Sequence, residues 1–448
     1  MVGEVSESLL IRGGLVLTMD DEDSVQAADV RISDGRVATV APDLDARDGE
    51  TLIDATDCVV LPGFIQTHVH LCQVLFRNLA DDLYLLDWLS QRIWPLEGAH
   101  SPGSLKASAE VGLAELLLGG TTGIVDMGTV RHTQVVLDAI IASGIRAVAG
   151  KCMMDHEDNP PQLREGTTES LRESIALAER YDGAADGRLR YGFAPRFVLS
   201  CTEGLMRDTA QEAHRRDLWL HTHASENTEE VRIVLERSGG IPNVSYLAQL
   251  GIAGPRTVLA HCIHVDESEI DQLARDGTHV AHCPSANLKL GSGICDVTAL
   301  LASGVSVSIG ADGAPCNNKL DAFTEMRTAA LLQKVKHTPA ALPARQALRA
   351  ATRAGAAVLG MAEELGQIRP GFRADLQILR LDDILDGPSG DLHSRVVYAA
   401  SRHCVDTVIV DGRRLVSGGE LMTLDRSKIV ADARRELPGC LRRAGISA

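Results

Sequence analysis

At 448 residues the chain exceeds what one hydrophobic core usually serves, so a large domain with a smaller companion is expected. A hydrophobic fraction of 45% fills a sizeable core, and with aromatics at 3% that core rests on Leu, Val, Ile and Ala. A net charge of −17 with no basic run to offset it argues against nucleic acid and anionic membrane as partners.

The N-terminal stretch MVGEVSESLLIRGG lacks the basic region and apolar run of a signal peptide. No apolar run reaches the length of a membrane span. Ten cysteines are scattered singly with no CxxC pair, so reduced thiols and a cytoplasmic location are expected.

Residues 8–60 read as short strands with turns: LLIRGGLVLTMD, ADVRISDGRVATVAP and TLIDATDCVVLPG. The pair Asp34-Gly35 between alternating runs is a hairpin signal. From about residue 60 to 312 short apolar runs alternate with helical patterns. The runs are VVLPGFIQTHVH, TTGIVDMG, IRAVAGKCMMD, RLRYGFAPRF, LWLHTHASE, RTVLAHC, THVAHCPS and VSVSIGADG. Most are near-continuously apolar, as strands buried on both faces of a parallel sheet must be. SLKASAEVGLAELLLGG, between the first two, is helical and stops at a glycine pair suited to a C-cap. CTEGLMRDTAQEAHRR follows the same pattern.

Eight such units predict an α/β protein built on a closed (β/α)8 TIM barrel, with its reactive residues on the face formed by the strands' C-terminal ends. An open doubly wound sheet lacks support, because no GxGxxG follows the first strand. Residues 366–420 return to strand patterns in GQIRPGFRADLQILRL and VDTVIVDGRRLVSGG, and RSKIVADARRELPGCLRRAG reads as a helix. Residues 1–61 and 366–448 are therefore expected to form a small composite β-sandwich with a C-terminal helix, around a catalytic barrel at 62–365.

Four strand ends carry the chemistry. His68 and His70 close the first run, His223 the fifth, His261 the sixth and Asp312 the eighth, and Glu226 follows His223 by three residues. Alternate residues of a strand point the same way, so His68 and His70 can converge on one point. Of the two histidines in HTHASE, only one is expected to share the face of the site, and the assignment falls on His223. Each signal is weak alone: an isolated HxH is mostly incidental, and an Asp before Gly mostly marks a turn. Together, on one end of one barrel, they suit a divalent metal ion with room for water. Zinc fits these donors, and iron and manganese share them. Water on such an ion becomes a nucleophile near neutral pH.

The segments PGFIQTHVHL, HTHASE, LAHCIHV, HCPSANLKLGSG and GADGAPCNN resemble the signature segments of the amidohydrolase superfamily. More narrowly, they are similar to its branch of cytosine, guanine, adenosine-type and triazine aminohydrolases. GQIRPGFRADLQIL matches the GxIxPGxxADLxIL pattern of that family's outer β domain, and the similarity runs from about residue 8 to 420. The resemblance implies that His68, His70, His223 and Asp312 hold the metal. It implies that Glu226 shuttles a proton to a ring nitrogen, and that His261 polarises the reacting centre. Asp312 is implied to help deprotonate water and protonate the leaving group. Two-metal relatives carry a bridging lysine at the end of the fourth strand; here that strand ends GFAPRF, so one metal is implied. Lys151, on the third strand, reads as structural or as a support behind the ligands.

Substrate contacts are assigned to Gln73, Glu97, Arg196 and Trp88. HVHLCQ and PRFVLSC resemble segments in which guanine deaminases contact the purine. ADDLYLLDWLSQRIWPLE resembles a segment of 5′-modified adenosine deaminases whose Glu contacts the ribose hydroxyls. Those enzymes usually carry His where this chain has Arg196. Blander roles remain for each: Gln73 as a helix cap, Arg196 as a partner of Asp155, and Trp88 and Trp94 as packing anchors. Cys316 reads as a small pocket residue.

The expected function is hydrolytic deamination of an aminopurine, with 5′-deoxyadenosine, methylthioadenosine or S-adenosylhomocysteine ahead of guanine. A triazine or other N-heterocycle comes third. A non-catalytic scaffold is disfavoured, because every ligand and shuttle position holds a competent residue. The resemblance also implies a homo-oligomer.

Overall fold

The structure is a computed structural model that describes residues 8–382, 385–387 and 389–446. The outermost residues of the expected outer domain, and the first half of the stretch read against a signal peptide, lie outside the described residues. Five strands come first: β1 (Leu9–Leu17), β2 (Val25–Ser33), β3 (Arg36–Ala41), β4 (Thr51–Asp54) and β5 (Cys58–Pro62). The β2–β3 hairpin turns on Asp34 and Gly35 with φ of 52° and 73°, the left-handed pair that a two-residue hairpin demands.

The next nine strands are β6 (Phe64–Val69), β7 (Thr121–Met127), β8 (Arg146–Gly150), β9 (Cys152–Met153), β10 (Leu189–Pro195), β11 (Trp219–Ala224), β12 (Thr257–His261), β13 (His279–His282) and β14 (Val307–Ile309). They form one parallel sheet in the order β6-β7-β8-β10-β11-β12-β13-β14, with β9 beside β10. A parallel bridge between Val69 and Asp312 joins its two edges, so the sheet closes as the eight apolar runs predict. Ile65, Val125, Val148, Trp219, Val258 and Ala281 fill the barrel's lower interior against Val358 and Leu359. Trp219 Nε1 donates to the Val358 carbonyl at 2.8 Å and fixes that floor.

The last strands are β15 (Leu376–Arg380), β16 (Val405–Val410), β17 (Arg413–Ser417) and β18 (Glu420–Leu421). They join the first five in one mixed sheet, ordered β18-β17-β16-β15-β5-β1-β2-β3 with β4 on β1, so both chain ends build the second unit. A register shift in β1 between Ile11 and Gly14 lets its first half pair with β4 and its second half with β5. Ile11, Val30, Val60, Ile378 and Ile409 then share one small core. Arg146 of the barrel is buried at this junction and holds Asp375 at 2.8 Å and Asp411 at 2.7 Å. The helix Arg426–Ala444 packs on the barrel helix Pro102–Leu118, with Cys440 and Leu441 buried beside Leu96 and Ala107. Among the described residues no helix is long and apolar enough to cross a membrane.

Candidate metal centre and its cavity

The site forms where the strands end. The β6–β7 ladder shifts register between Gln66 and Val69, a bulge that re-aims the side chains beyond it. The His68 and His70 rings stand 4.8 Å apart, nearly perpendicular. Asp126 at the end of β7 accepts the Leu71 N–H at 2.8 Å and pins the chain just past His70. At the seam, Asp312 donates its N–H to the His68 carbonyl at 2.9 Å. That approach needs Gly310, because a Cβ there would lie 2.8 Å from the same carbonyl. Ser225, His261, Cys262 and Asp312 all have positive φ (53°, 75°, 45° and 62°), so three strand ends hold left-handed backbone that non-glycine residues adopt only under constraint.

His68, His70, His223 and Asp312 are buried, and one ligand-type atom from each lies within 4.8 Å of the others. Each imidazole is oriented from behind. His70 Nδ1 donates to the Met127 carbonyl at 3.1 Å, and His223 Nδ1 donates to the Arg196 carbonyl at 2.8 Å. Carbonyls only accept, so both Nε2 atoms are left with lone pairs facing inward. His68 Nδ1 meets His221 Nε2 at 2.8 Å, and His68 Nε2 is buried without a hydrogen-bond partner. Asp312 Oδ1 sits 3.3 Å from the Nε2 of both His68 and His70. Burial pushes His70 and His223 well below the ordinary imidazole range, which keeps them neutral and able to ligate. The residues present therefore fit one divalent ion: two inward lone pairs, a third imidazole nitrogen without a partner, one carboxylate, and supporting bonds behind each ring.

His221 corrects the expectation that only one histidine of HTHASE faces the site. Positions 221 and 223 are two apart on β11, so both rings point inward, and His221 stacks one layer below as the support of His68. Neither Asn287 nor Glu230 was singled out from sequence, although Asn287 lies within the segment HCPSANLKLGSG and Glu230 stands three residues after Asn227, the spacing of a capping box. Asn287 Oδ1 accepts from His261 Nδ1 at 2.8 Å. His261 Nε2 then faces Glu226 Oε2 at 3.6 Å and Asp312 Oδ2 at 3.9 Å. Burial, and after it the charges of Asp312 and Glu230, raise the Glu226 carboxyl well above its ordinary range.

Above these groups lies a cavity of about 20 Å³, lined by His70, Gln73, Trp88, Arg196, Phe197 and Glu226 among others. Such a volume holds about one water. Leu85, Trp88 and Leu89 roof it from the segment that follows β6, and Leu290 closes the far side. Glu97 stands behind this wall. Its Oε1 accepts from Gln73 Nε2 at 2.8 Å, and its Oε2 accepts from Arg196 Nη1 at 2.6 Å. Three of the four assigned substrate residues are thus bonded to one another, and Trp88 lines the same cavity. Arg196 does not pair with Asp155, whose oxygens accept instead from Thr202 and Thr167. Lys151 is fully buried against Glu165 at 2.8 Å, the structural role read for it. Cys316 is buried, its thiol donating to the Gly313 carbonyl at 3.0 Å.

A closed parallel barrel whose mouth gathers three inward imidazoles, a carboxylate and a buried glutamate defines a metal-dependent hydrolase. The chain belongs to the amidohydrolase family, whose model matches residues 59–415. It is 41% identical over 426 residues to a 5′-deoxyadenosine deaminase of Methanothermobacter thermautotrophicus, covering 95% of this chain and 97% of that relative. It is 37% identical over 439 residues to a 5-methylthioadenosine/S-adenosylhomocysteine deaminase of Haloarcula marismortui, covering 98% and 99%. Among solved structures, a zinc-bound adenosine deaminase of Xanthomonas campestris superposes with a TM-score of 0.90 at 31% identity, covering 99% of this chain and 100% of that one.

Proposed function

We propose that the chain is a hydrolytic deaminase of a 5′-modified adenosine, releasing ammonia from the purine ring, with one zinc ion in the His68, His70, His223 and Asp312 site. One observation supports the chemistry above the rest: a buried, readily protonated Glu226 beside His261, facing the four-ligand cluster. The full-length similarity to two deaminases of this class supports the substrate. The bound ion supplies Lewis-acid activation of water. The chain's own groups do the rest. Glu226 takes up a proton and delivers it to the ring nitrogen. Asn287 holds His261 through Nδ1 and so aims its Nε2 at the reacting centre. Asp312 accepts a proton and passes it to the departing amine. Trp88, Leu89 and Phe197 line the cavity over these groups, and must part to admit a purine before they can close on it and exclude water.

A second reading, guanine deamination, draws on one feature. Gln73 and Arg196 both reach the cavity wall, while Glu97, the group assigned to a ribose, is held behind them. A panel of 5′-deoxyadenosine, methylthioadenosine, S-adenosylhomocysteine, adenosine, guanine and a chlorotriazine, followed by ammonia release and ultraviolet change, separates the two. Release from the 5′-modified adenosines is expected. Release from guanine alone overturns the first reading, and release from none of the purines overturns both.

A further inference from the structure

We infer that Glu230 is a positioning residue for the reaction: its carboxylate fixes the main chain of Glu226 and so sets where the proton-carrying side chain hangs. The inference rests on the role proposed above for Glu226. Glu230 lies in the first turn of the helix Thr228–Arg237 and is 0% exposed. Part of its bonding is ordinary. Asn227 caps that helix, and its N–H reaches back to Glu230 Oε2 at 3.2 Å, which completes a capping box. The closer bond is not part of any cap. The N–H of Glu226, one residue before the cap, donates to the same oxygen at 2.7 Å. The other oxygen accepts from Asn243 Nδ2 at 3.0 Å. Asn243 opens the next helix, Asn243–Gln249, and Glu269 in turn holds the Val244 N–H at 2.8 Å.

This brace meets the chain where the chain is least at ease. Ser225, directly before Glu226, has a φ of 53°, and its carbonyl accepts the N–H groups of Ile263 and His264, both at 3.0 Å. The left-handed kink turns the chain away from β11 and aims Glu226 back over the strand ends. A single-turn cap needs no fully buried carboxylate, and burying one is costly unless it is well bonded. Here three N–H donors meet it, and one of them belongs to the proton carrier itself. Glu230 is not among the residues that line the cavity, so it acts through Glu226.

The test compares zinc-loaded full-length variants on 5′-deoxyadenosine, with metal content and thermal midpoint measured on each. Glu230→Met removes the acceptor. Its kcat is expected to fall at least about tenfold with KM unchanged, since a 1 Å misplacement of a catalytic group costs on the order of a hundredfold. Glu230→Gln restores most of the loss. Its carbonyl can accept from Glu226, and its amide can donate to Asn243 Oδ1, which has no partner in the parent, once the Asn243 amide turns over. A residue that only caps a helix would lower the thermal midpoint and leave kcat and KM of the folded protein alone. That outcome, or a Gln variant no better than Met, overturns the inference. Where Glu230→Met does not fold, Asn243→Ala decides: it frees the far oxygen, and a several-fold lower kcat at parental KM is expected, whereas parental kcat overturns the inference. Glu226→Gln is run alongside. A live Glu226→Gln refutes the proposed chemistry. A dead one beside a parental Glu230→Met refutes only the role of Glu230.

Discussion

Within β11, two histidines divide the labour. His223 turns its Nε2 toward the candidate metal point, and His221, two residues earlier, holds His68 from below. Losing a group behind a metal-ligating histidine typically weakens the site roughly 10- to 100-fold. His221→Ala is therefore expected to reduce zinc affinity by that order, read by competition with a chelator, while the fold persists. Unchanged affinity would show that His68 is oriented by its strand alone. Glu226 is expected to behave oppositely. Glu226→Gln keeps the four candidate ligands, so stoichiometric metal should remain while turnover falls by roughly 10²- to 10⁴-fold, the usual contribution of a proton-transfer group. Loss of metal from that variant would instead place Glu226 in the ligand set.

At the scale of elements, the site depends on ties between strand ends and the segments that follow them. Arg196 leaves the end of β10 and Glu97 comes from the turn Trp94–Gly98, and their buried pair holds the roof segment to the barrel. Arg196→Ala strands a buried carboxylate, and a loss of about 3–5 kcal/mol is expected from denaturant unfolding. A loss near zero would mean that the roof is held by its apolar face alone. Asp126 ties β7 to the turn after His70, and burial raises its carboxyl to about 7 despite the Leu71 N–H, which pulls the other way. The folded protein thus keeps this proton up to about pH 7, while the unfolded chain releases it near pH 4. This group's contribution is full at low pH and is lost as pH rises between the two values. Asp126→Asn keeps the Leu71 bond through Oδ1 and places an amide where Oδ2 has no partner. The fall in thermal midpoint from pH 5 to pH 7 should be smaller in this variant than in the parent, and equal slopes would contradict the assignment.

For the whole molecule, removing the ion should loosen the top of the barrel. A chelated sample is expected to melt lower and to recover on adding zinc, by about 2.7 kcal/mol when free zinc stands a hundredfold above its Kd. An unchanged melt would deny the site a resident ion. Much of this architecture was legible beforehand, because a strand buried on both faces must be apolar throughout, and eight such runs mark themselves. The chain-end strands showed through their hairpin and turn residues. The four candidate ligands showed because each sits at a run's end. The bond from Gln73 to Glu97 and on to Arg196 was not legible. Its members lie 24 and 99 positions apart, and only the closed barrel decides that Arg196 meets Glu97 rather than Asp155. His221 was legible in principle, since a spacing of two already places it beside His223.

The seam between Val69 and Asp312 has a consequence for how the molecule is made. It joins the first barrel strand to the last, and the candidate ligands come from both sides of it. A ribosome delivers His68 and His70 long before Asp312, so the earliest pair waits through most of synthesis for its carboxylate. Contacts of such long sequence separation form late and slowly. Tight capture of the ion is then a sign that the ring has closed, and a chain halted short of Asp312 has its imidazoles without the anion that completes the set.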